Sequence, residues 1–443
     1  EEAKNYPLFR RNVTITGKYN GKEHGGSIEI TSLDKGLPLW GDTRFGYITF
    51  INKSSGGASY KNIFCQYHNL EMGKGIKMEG FKDNAINYGT IDGAVTTPMQ
   101  IFGGFNNDGR FSPMDTKDKI AAFEASMPHG KEGFSITIKS GFYSSICVGG
   151  RQTITQDTNG NQLNGVMGTP NQPIKCTITM DIDREWNDKN NETKTIDNKS
   201  RKSDYDAGII LAGNHEGAMY SDVDIIIKSG KVARIVNGTL GAQRPFTLEY
   251  KGNTYHVPMN TFMGRANITL DPEHSVNNTT EEKNARVIVT ELYGSSMGRG
   301  HDGKVTINNP FYGYSTITIN GGTFKILPEK NTEKDKILCG IFGAGAGGMN
   351  GIGYGKNDAK THTQDQSIAY WNETKDVMLY GPYSEEKVKD KSNLVSYHCY
   401  NAGNYTYTDV NPLKTNTQII INGGIFGSKA ETIDGIYAGG SGY

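Results

Sequence analysis

Two short acidic segments have the spacing of carboxylates that a Ca²⁺ site or an acid/base pair requires. Asp181 and Asp183 alternate within Met180–Glu185, and Asp222 and Asp224 alternate in the next clear copy of a repeated pattern. Alternate residues of a β-strand face the same side, and neighbouring strands lie about 4.8 Å apart, so stacked carboxylates could share one Ca²⁺ ion. A solvated strand face with alternating charges is the simpler interpretation. We take these four aspartates as candidate catalytic residues, and Asp181 and Asp183 as candidate Ca²⁺ ligands.

The glycine-flanked segment Gly298–Lys304 (GRGHDGK) is the second candidate site. Arg299 offers a clamp for the carboxylate of a uronate sugar, and His301 offers a general acid or base. Arg151 follows a Gly-Gly pair in a similar position, so comparable loops on successive repeats would line a groove. Such a groove favours ligand contact, whereas an exposed corner loop is the alternative interpretation.

Aromatic side chains are the third candidate feature, because aromatic rings stack on the faces of sugars. Trp186 and Trp371 lie in polar sequence, and Tyr293 just precedes the glycine-flanked segment. We predict that these three residues contact a ligand together with Arg151 and Arg299, although loop aromatics also anchor loops to the body of a protein. The nine histidines form no pair two or four residues apart, which argues against a zinc site. No cofactor is predicted other than Ca²⁺.

A degenerate repeat must position these residues. Each copy has β-branched residues in alternation, then a Gly, an aromatic residue and a second short strand that ends in Gly-Gly, as in Ser135–Gly150 (SITIKSGFYSSICVGG). Residues i and i+2 of a strand face one side, so pairs such as Ile136 and Ile138 predict a buried face and a half-polar outer face. Glycine enters left-handed backbone without a Cβ penalty, which predicts a corner at one glycine of each good copy. These glycines are Gly141, Gly230, Gly322 and Gly424.

The repeat predicts an all-β fold, namely a single-stranded right-handed parallel β-helix (β-solenoid), because one copy cannot bury its apolar face and stacked copies can. Residues 1–98 are expected to form a β-rich segment that contains the first coils or a cap, and residues 99–443 the body. The uneven spacing of the copies indicates long polar loop insertions. These insertions are predicted near residues 184–206, 328–336, 356–376 and 384–393. Helical signal is sparse, and Thr116–Met127 is the best candidate.

The composition excludes several classes of protein. The 443 residues include 47 basic and 47 acidic side chains, so the chain has no electrostatic footprint for nucleic acid. It also lacks the run of about 18 apolar residues that a transmembrane helix needs. The five cysteines are far apart, and those in apolar runs are expected to be buried free thiols. No polar cap follows the last repeat, so we expect the C-terminal cap to be missing and the chain to be part of a larger one.

The unit I-x-I-x-G-G-x-F followed by G-I-Y-x-G-G occurs at Ile419–Phe426 and Gly435–Gly440. It resembles the glycine-rich repeats of large exported surface proteins of Bacteroidetes-type bacteria, which are similar in architecture to the pectate-lyase-like β-helix superfamily. The resemblance covers most of the chain from Met99 onward. It implies an extracellular, outer-membrane-associated location at the cell surface and a polysaccharide ligand, and it carries over no catalytic residue.

Three functions remain open from the sequence. The first is a non-enzymatic surface β-solenoid, an adhesin or stalk whose loop-bearing face binds a glycan or a surface protein partner. The second is a β-helix polysaccharide lyase or glycoside hydrolase for an acidic polysaccharide, which requires the four aspartates and a basic residue to converge in one groove. The third is a structural subunit of a surface fibre or outer-membrane complex, which requires an apolar or edge-strand surface at one end.

Overall fold

A computed structural model gives the structure of the chain. Strands dominate it, which confirms the prediction of an all-β fold. The helices among the described residues are α1 (Lys117–Ser126), α2 (Arg184–Asn190) and two short 3-10 helices, Pro272–His274 and Lys283–Ala285. The structure describes residues 12–30, 36–52, 62–79, 99–105, 117–151, 154–156, 162–164, 166–168, 172–191, 205–215, 218–239, 246–250, 253–257, 262–277, 282–296, 299–301, 305–307, 310–327, 339–343, 349–350, 367–372, 377–382, 416–427 and 435–437.

Most strands belong to one 21-stranded sheet, which curls into a half-barrel. Its strands pair in parallel and fall into two arms that share the long strand β19 (Ala218–Val236). The first arm contains the N-terminal part of β19 together with β1 (Val13–Thr16), β6 (Thr43–Gly46), β9 (Leu70–Met72), β12 (Phe134–Ile138), β16 (Val166–Met167), β17 (Ile174–Asp181), β22 (Phe262–Leu270), β26 (Pro310–Ile319), β29 (Met349–Asn350) and β32 (Asn416–Ile421).

The second arm continues from the first after a corner. It contains the C-terminal part of β19 together with β5 (Leu37–Pro38), β8 (Asn62–Phe64), β11 (Gln100–Phe102), β13 (Tyr143–Cys147), β18 (Ala207–Leu211), β23 (Val287–Tyr293), β27 (Thr323–Phe324), β28 (Gly340–Phe342), β33 (Ile425–Phe426) and β34 (Gly435–Tyr437).

Smaller sheets accompany the two arms. A three-stranded parallel sheet consists of β4 (Ser27–Ile30), β7 (Thr49–Asn52) and β10 (Lys77–Glu79). The antiparallel hairpins are β2 (Lys18–Tyr19) with β3 (Lys22–Glu23), β14 (Ile154–Gln156) with β15 (Gln162–Asn164), β20 (Phe246–Tyr250) with β21 (Asn253–Val257), β24 (Arg299–His301) with β25 (Val305–Ile307), and β30 (Ser367–Asn372) with β31 (Val377–Pro382).

In-register pairing stacks like residues into columns, and these columns form the core. Ile136 pairs with Leu70 on one side and with Ile178 on the other, and isoleucine holds the same position in β19, β22 and β26. A second aliphatic column runs up the second arm, and its side chains are also buried. Burial of each such side chain contributes about 1.5–3 kcal/mol, so the columns are the main source of stability. The second column is Ile63, Ile101, Ile146, Ile210, Ile235, Leu292 and Ile341.

The corners between the arms lie at the glycines that the repeat predicts. Gly141, Gly230, Gly322 and Gly424 have φ angles of 93°, 140°, 108° and 127°, a region that side chains disfavour. The aromatic residue that follows the corner packs into the core, since Phe324 is buried and stacks on Phe426 with ring centroids 5.2 Å apart. The predicted corners are therefore confirmed.

The helix predicted at Thr116–Met127 is confirmed as α1. The structure describes the polar insertion predicted near residues 184–206 only at its two ends. Its beginning forms α2, whose Asn187 is buried, and Tyr205 and Asp206 at its end are buried as well. Polar residues reach the interior here because the Asn187 side chain donates a hydrogen bond to the carboxylate of Asp206 at 2.7 Å. The insertions predicted at 328–336 and 384–393 lie outside the described residues, and the one at 356–376 contains β30.

Four cysteines lie in the described ranges, and all four are free and buried. This confirms the expectation for Cys65, Cys147 and Cys339, which lie in apolar runs, and Cys176 shares their environment. Cys399 lies outside those ranges. Neither of the α-helices in the described part of the chain has the length and apolar character that crossing a bilayer requires.

Candidate metal centre

The register of the strands separates the two acidic segments that the sequence singled out. Asp222 pairs with Lys175, and Asp224 pairs with Thr177, whereas Asp181 pairs with Ser229 after an irregularity in the ladder. The carboxylates of the two segments therefore do not stack on neighbouring strands, which is the arrangement that a shared Ca²⁺ would need.

Asp181 and Asp183 each have a structural partner. The Asp181 carboxylate is buried and accepts hydrogen bonds from the Ser275 hydroxyl at 2.7 Å and from the Val276 backbone N–H at 3.1 Å. Asp183 is the N-cap of α2, where its carboxylate accepts from the backbone N–H of Trp186 at 3.2 Å. An N-cap of this kind stabilises the first turn of a helix by about 1 kcal/mol.

Asp222 and Asp224 share one cation on the outer face of the first arm. Arg265, in the neighbouring strand β22, pairs with both carboxylates, and Asn267 donates a hydrogen bond to Asp224 at 2.9 Å. Burial acts to lower the pKa of Arg265, but the two carboxylates outweigh it and raise that pKa. The arrangement is a cross-strand ion pair on a partly exposed surface.

The predicted ligand contacts lie on separate elements. Tyr293 is fully buried and stacks on Phe342 with ring centroids 4.9 Å apart, so its ring is out of reach of a surface ligand. Trp186 is half-buried on α2, and Arg151 is half-buried after β13. Arg299 and His301 belong to β24, and Trp371 belongs to β30. The side chains of these last three residues lie outside the described part of the chain.

A different group of side chains comes together near the N-terminal end of the first arm. Asp42, His68 and His129 each offer a ligand atom, and the three atoms lie within 4.8 Å of one another. His129 Nε2 lies 2.8 Å from Asp42 Oδ1, and His68 Nδ1 lies 3.7 Å from the same oxygen. The side chains are 26%, 21% and 26% exposed for Asp42, His68 and His129, so the group is open to solvent on one side.

Three successive strands of the first arm bring these residues together. Asp42 directly precedes β6, His68 precedes β9 by two residues, and His129 lies in the turn between α1 and β12. Because β9 pairs with both β6 and β12, the segments that enter the three strands meet at one edge.

Asn69 fixes the orientation of the Asp42 carboxylate. Its backbone N–H donates to Asp42 Oδ1 and its side-chain amide donates to Asp42 Oδ2, both at 3.0 Å. The amide oxygen of Asn69 in turn accepts from the backbone N–H of Ser135 at 2.7 Å. This chain of hydrogen bonds spans the same three strands and holds the carboxylate in place.

The two histidines are held by their own turns. Gln66 and Tyr67 precede His68 in left-handed backbone, with φ of 51° and 62°, and both of their side chains are buried. Such backbone is costly for residues other than glycine, and the surrounding packing must maintain it. The His129 turn is tied to the next strand region, where the Gln172 amide donates to the carbonyl of Gly130 at 2.6 Å.

The protonation states suit metal binding. Burial lowers the pKa of His68 and the neighbouring His129 adds to this effect, although the Asp42 carboxylate opposes it. Burial acts to raise the pKa of Asp42, but hydrogen bonds from Asn69 and His129 outweigh it and lower that pKa. The site therefore offers an ionised carboxylate beside a neutral imidazole, and metal ions bind these deprotonated forms.

Short spacings between histidines could not reveal this group, because His129 lies 87 residues after Asp42. The repeat does contain a signal from which part of this group could have been predicted. Asp42-Thr-Arg-Phe-Gly46 aligns with Asn69-Leu-Glu-Met-Gly73, and this alignment places Asp42 and Asn69 at facing positions.

Comparison with known proteins adds no family assignment, because no protein-family model, curated protein or solved structure matches the chain.

Proposed function

We propose that the chain is a right-handed parallel β-helix from an exported cell-surface protein, and that it binds a glycan or a surface protein partner through a row of hairpins. The in-register columns of the two arms support the β-helix, since stacked coils of such a fold place like residues above one another. The three-stranded parallel sheet of β4, β7 and β10 fits a third face of its first coils.

The observation that carries the binding function is the placement of the hairpins. β14–β15, β20–β21 and β24–β25 are each inserted between a second-arm strand and the next first-arm strand, whereas β30–β31 is inserted between the first-arm strands β29 and β32. Insertions at equivalent points of successive coils emerge on the same face of a solenoid. In addition, β15 lies against β20, and β21 lies against both β30 and β31. We call these four hairpins the hairpin row.

The hairpin row contains three of the residues that the sequence offers as ligand contacts or catalytic groups, Arg299, His301 and Trp371. β14–β15, β20–β21 and β30–β31 touch one another and form an extended surface, which suits a polymer better than a small molecule. The lyase alternative has less support, because Asp181, Asp183 and the Asp222–Asp224 pair already have protein partners.

A glycan array tests the proposal with the full chain. Wild-type protein should retain one class of uronate or neutral polysaccharide, and Trp371→Ala and Arg299→Ala should each lower the affinity by about 10-fold, which corresponds to about 1.4 kcal/mol. Tyr19→Ala is the matched control, because Tyr19 is a 71% exposed aromatic on a hairpin outside the row. Equal retention by all four proteins would remove the hairpin row as the binding surface.

A structural subunit is the second candidate, and one observation favours it. Ile421, Ile425, Ile436 and Tyr437 on β32, β33 and β34 are 41–45% exposed, and among the described strands these three pair on one side only. An apolar edge of this kind suits stacking onto another subunit. Sedimentation of wild-type protein beside an Ile436→Lys variant tests it, since only the wild type should assemble.

A further inference from the structure

We propose that Asp42, His68 and His129 form a binding site for Zn²⁺, with three protein ligands and one coordination position open to solvent. The site is separate from the hairpin row and does not depend on the proposed binding function.

The distances between the ligand atoms fit a tetrahedral ion. With metal–ligand bonds of about 2.0–2.1 Å, tetrahedral geometry separates neighbouring ligand atoms by about 3.3 Å. The two distances from Asp42 Oδ1, 2.8 Å to His129 Nε2 and 3.7 Å to His68 Nδ1, lie on either side of that value. The ligand atoms of the two histidines lie within 4.8 Å of each other, so the imidazoles would have to approach by up to about 1.5 Å for all three atoms to reach bonding distance of one tetrahedral ion.

The hydrogen bond between Asp42 and His129 does not explain the position of His68. That pair is already complete at 2.8 Å, yet His68 directs Nδ1 toward the same oxygen at a distance too long for a good hydrogen bond. The two imidazole rings lie nearly perpendicular, with centroids 6.3 Å apart, so they converge on the carboxylate rather than stack on each other. Convergence of two imidazoles on one carboxylate oxygen is what a shared metal ion explains.

The donor set selects the class of metal. Ca²⁺ and Mg²⁺ prefer oxygen ligands throughout, whereas two imidazoles and one carboxylate suit Zn²⁺ and neighbouring transition metals. Zinc sites with three protein ligands leave the fourth position to water, and the partial exposure of all three side chains provides the required opening.

Hydrogen bonds from surrounding residues hold the Asp42 ligand in place, as they do in metal sites in general. Ligating carboxylates are usually held by hydrogen bonds from outer residues, and Asn69 holds both oxygens of Asp42 in this way. Because the ligands enter from β6, β9 and β12, a bound ion would join three consecutive strands. Zinc should therefore raise the melting temperature of the protein as well as bind to it.

Metal analysis and calorimetry on the full chain test the site with Zn²⁺ as the probe. Wild-type protein should bind one Zn²⁺ per chain at this site, and His68→Ala and His129→Ala should each lower the affinity by about 100-fold or more, since loss of an outer partner alone costs about 10–100-fold. His274→Ala is the matched control, because His274 also pairs with an aspartate, Asp271 at 2.8 Å, but is 70% exposed and has no second histidine beside it in the described structure. Its affinity should equal that of the wild type.

A second measurement uses only wild-type protein and does not depend on how the variants fold. Zn²⁺ should protect His68 and His129, but not His274, from diethyl pyrocarbonate when modified peptides are quantified by mass spectrometry. Zinc binding that is unchanged in both His68→Ala and His129→Ala, or modification of these two histidines that zinc does not slow, would overturn the proposal. So would the absence of zinc binding by the wild type.

Discussion

The two arms of the large sheet share one pattern of strand pairing but differ in their outer faces. In the first arm the column through Thr177, Asp224, Asn267 and Thr316 is half-exposed, and it is polar throughout. In the second arm the outward column is buried and mostly apolar. It consists of Phe64, Phe102, Cys147, Leu211, Val236, Tyr293 and Phe342.

Alternating residue types therefore indicate that a strand is buried on one side, whereas a strand without alternation is buried on both sides. The first-arm strand β12 reads FSITI and has alternating burial, whereas the second-arm strand β23 reads VIVTELY and is buried at every position. Even charged residues of the second arm are buried, because Arg234 and Glu291 face each other there as an ion pair with 9% and 2% exposure.

The largest expected effect comes from breaking that buried pair. Glu291→Ala leaves the Arg234 guanidinium buried without its carboxylate, which should lower the free energy of unfolding by about 3–5 kcal/mol. Asp224→Ala is the first-arm counterpart and should cost about 0–1 kcal/mol, since Asp224 is 39% exposed and Arg265 keeps Asp222. Urea denaturation followed by circular dichroism measures both values. Similar losses in the two variants would mean that the outer faces do not differ in solution.

A smaller effect is expected at the corner that joins the arms. Gly322→Ala places a side chain at φ 108° and puts its Cβ 3.3 Å from Val287, so we expect a loss of about 1–3 kcal/mol. Gly26→Ala is the control, because its Cβ would lie 3.7 Å from Ile48 in ordinary contact, and the change should stay within about 0.5 kcal/mol. Melting curves of the two variants compare these effects directly. Equal melting temperatures would show that the corner does not need glycine.

The sequence predicts the parts of the fold that depend on local period. Ile136 and Ile138 lie two apart and point inward, and Gly141 follows at a fixed offset, so both the buried face and the corner could be predicted. The partners of Asp222 could not, because its pairing with Arg265 depends on which residues of β19 and β22 face each other. A shift of one residue in the pairing would exchange the two faces of a strand. Because insertions of different lengths separate the strands, the pairing register cannot be read from the sequence.

The candidate zinc site was hidden for the same reason. Asp42 and Asn69 face each other because β6 and β9 pair in one register, and His129 reaches them from a turn after α1. None of these relations is local in the chain. Asp181 and Asp183 were candidates because they lie close together in the sequence. In the structure, Asp181 is buried and accepts a hydrogen bond from Ser275, whereas Asp183 caps helix α2.

The smallest expected effect concerns chemical reactivity and compares the burial of the two arms without changing stability. Cys147 lies in the outward column of the second arm, and Cys176 lies in the inward core of the first. Burial raises the pKa of Cys147 to about 12, although the Ser145 hydroxyl opposes it, and burial also raises the pKa of Cys176. At pH 8 both thiols should therefore stay protonated and fail to react with iodoacetamide, because the thiolate is the nucleophile.

Mass spectrometry of the labelled peptides, in a Cys399→Ser background that removes the fifth thiol, should find both cysteines unlabelled in folded protein and labelled in 8 M urea. Labelling of Cys147 but not Cys176 in folded protein would mean that the outer face of the second arm opens to solvent while the core stays closed. Burial of that face would then be weaker than its mostly apolar column implies, and the loss of stability expected for Glu291→Ala should shrink accordingly.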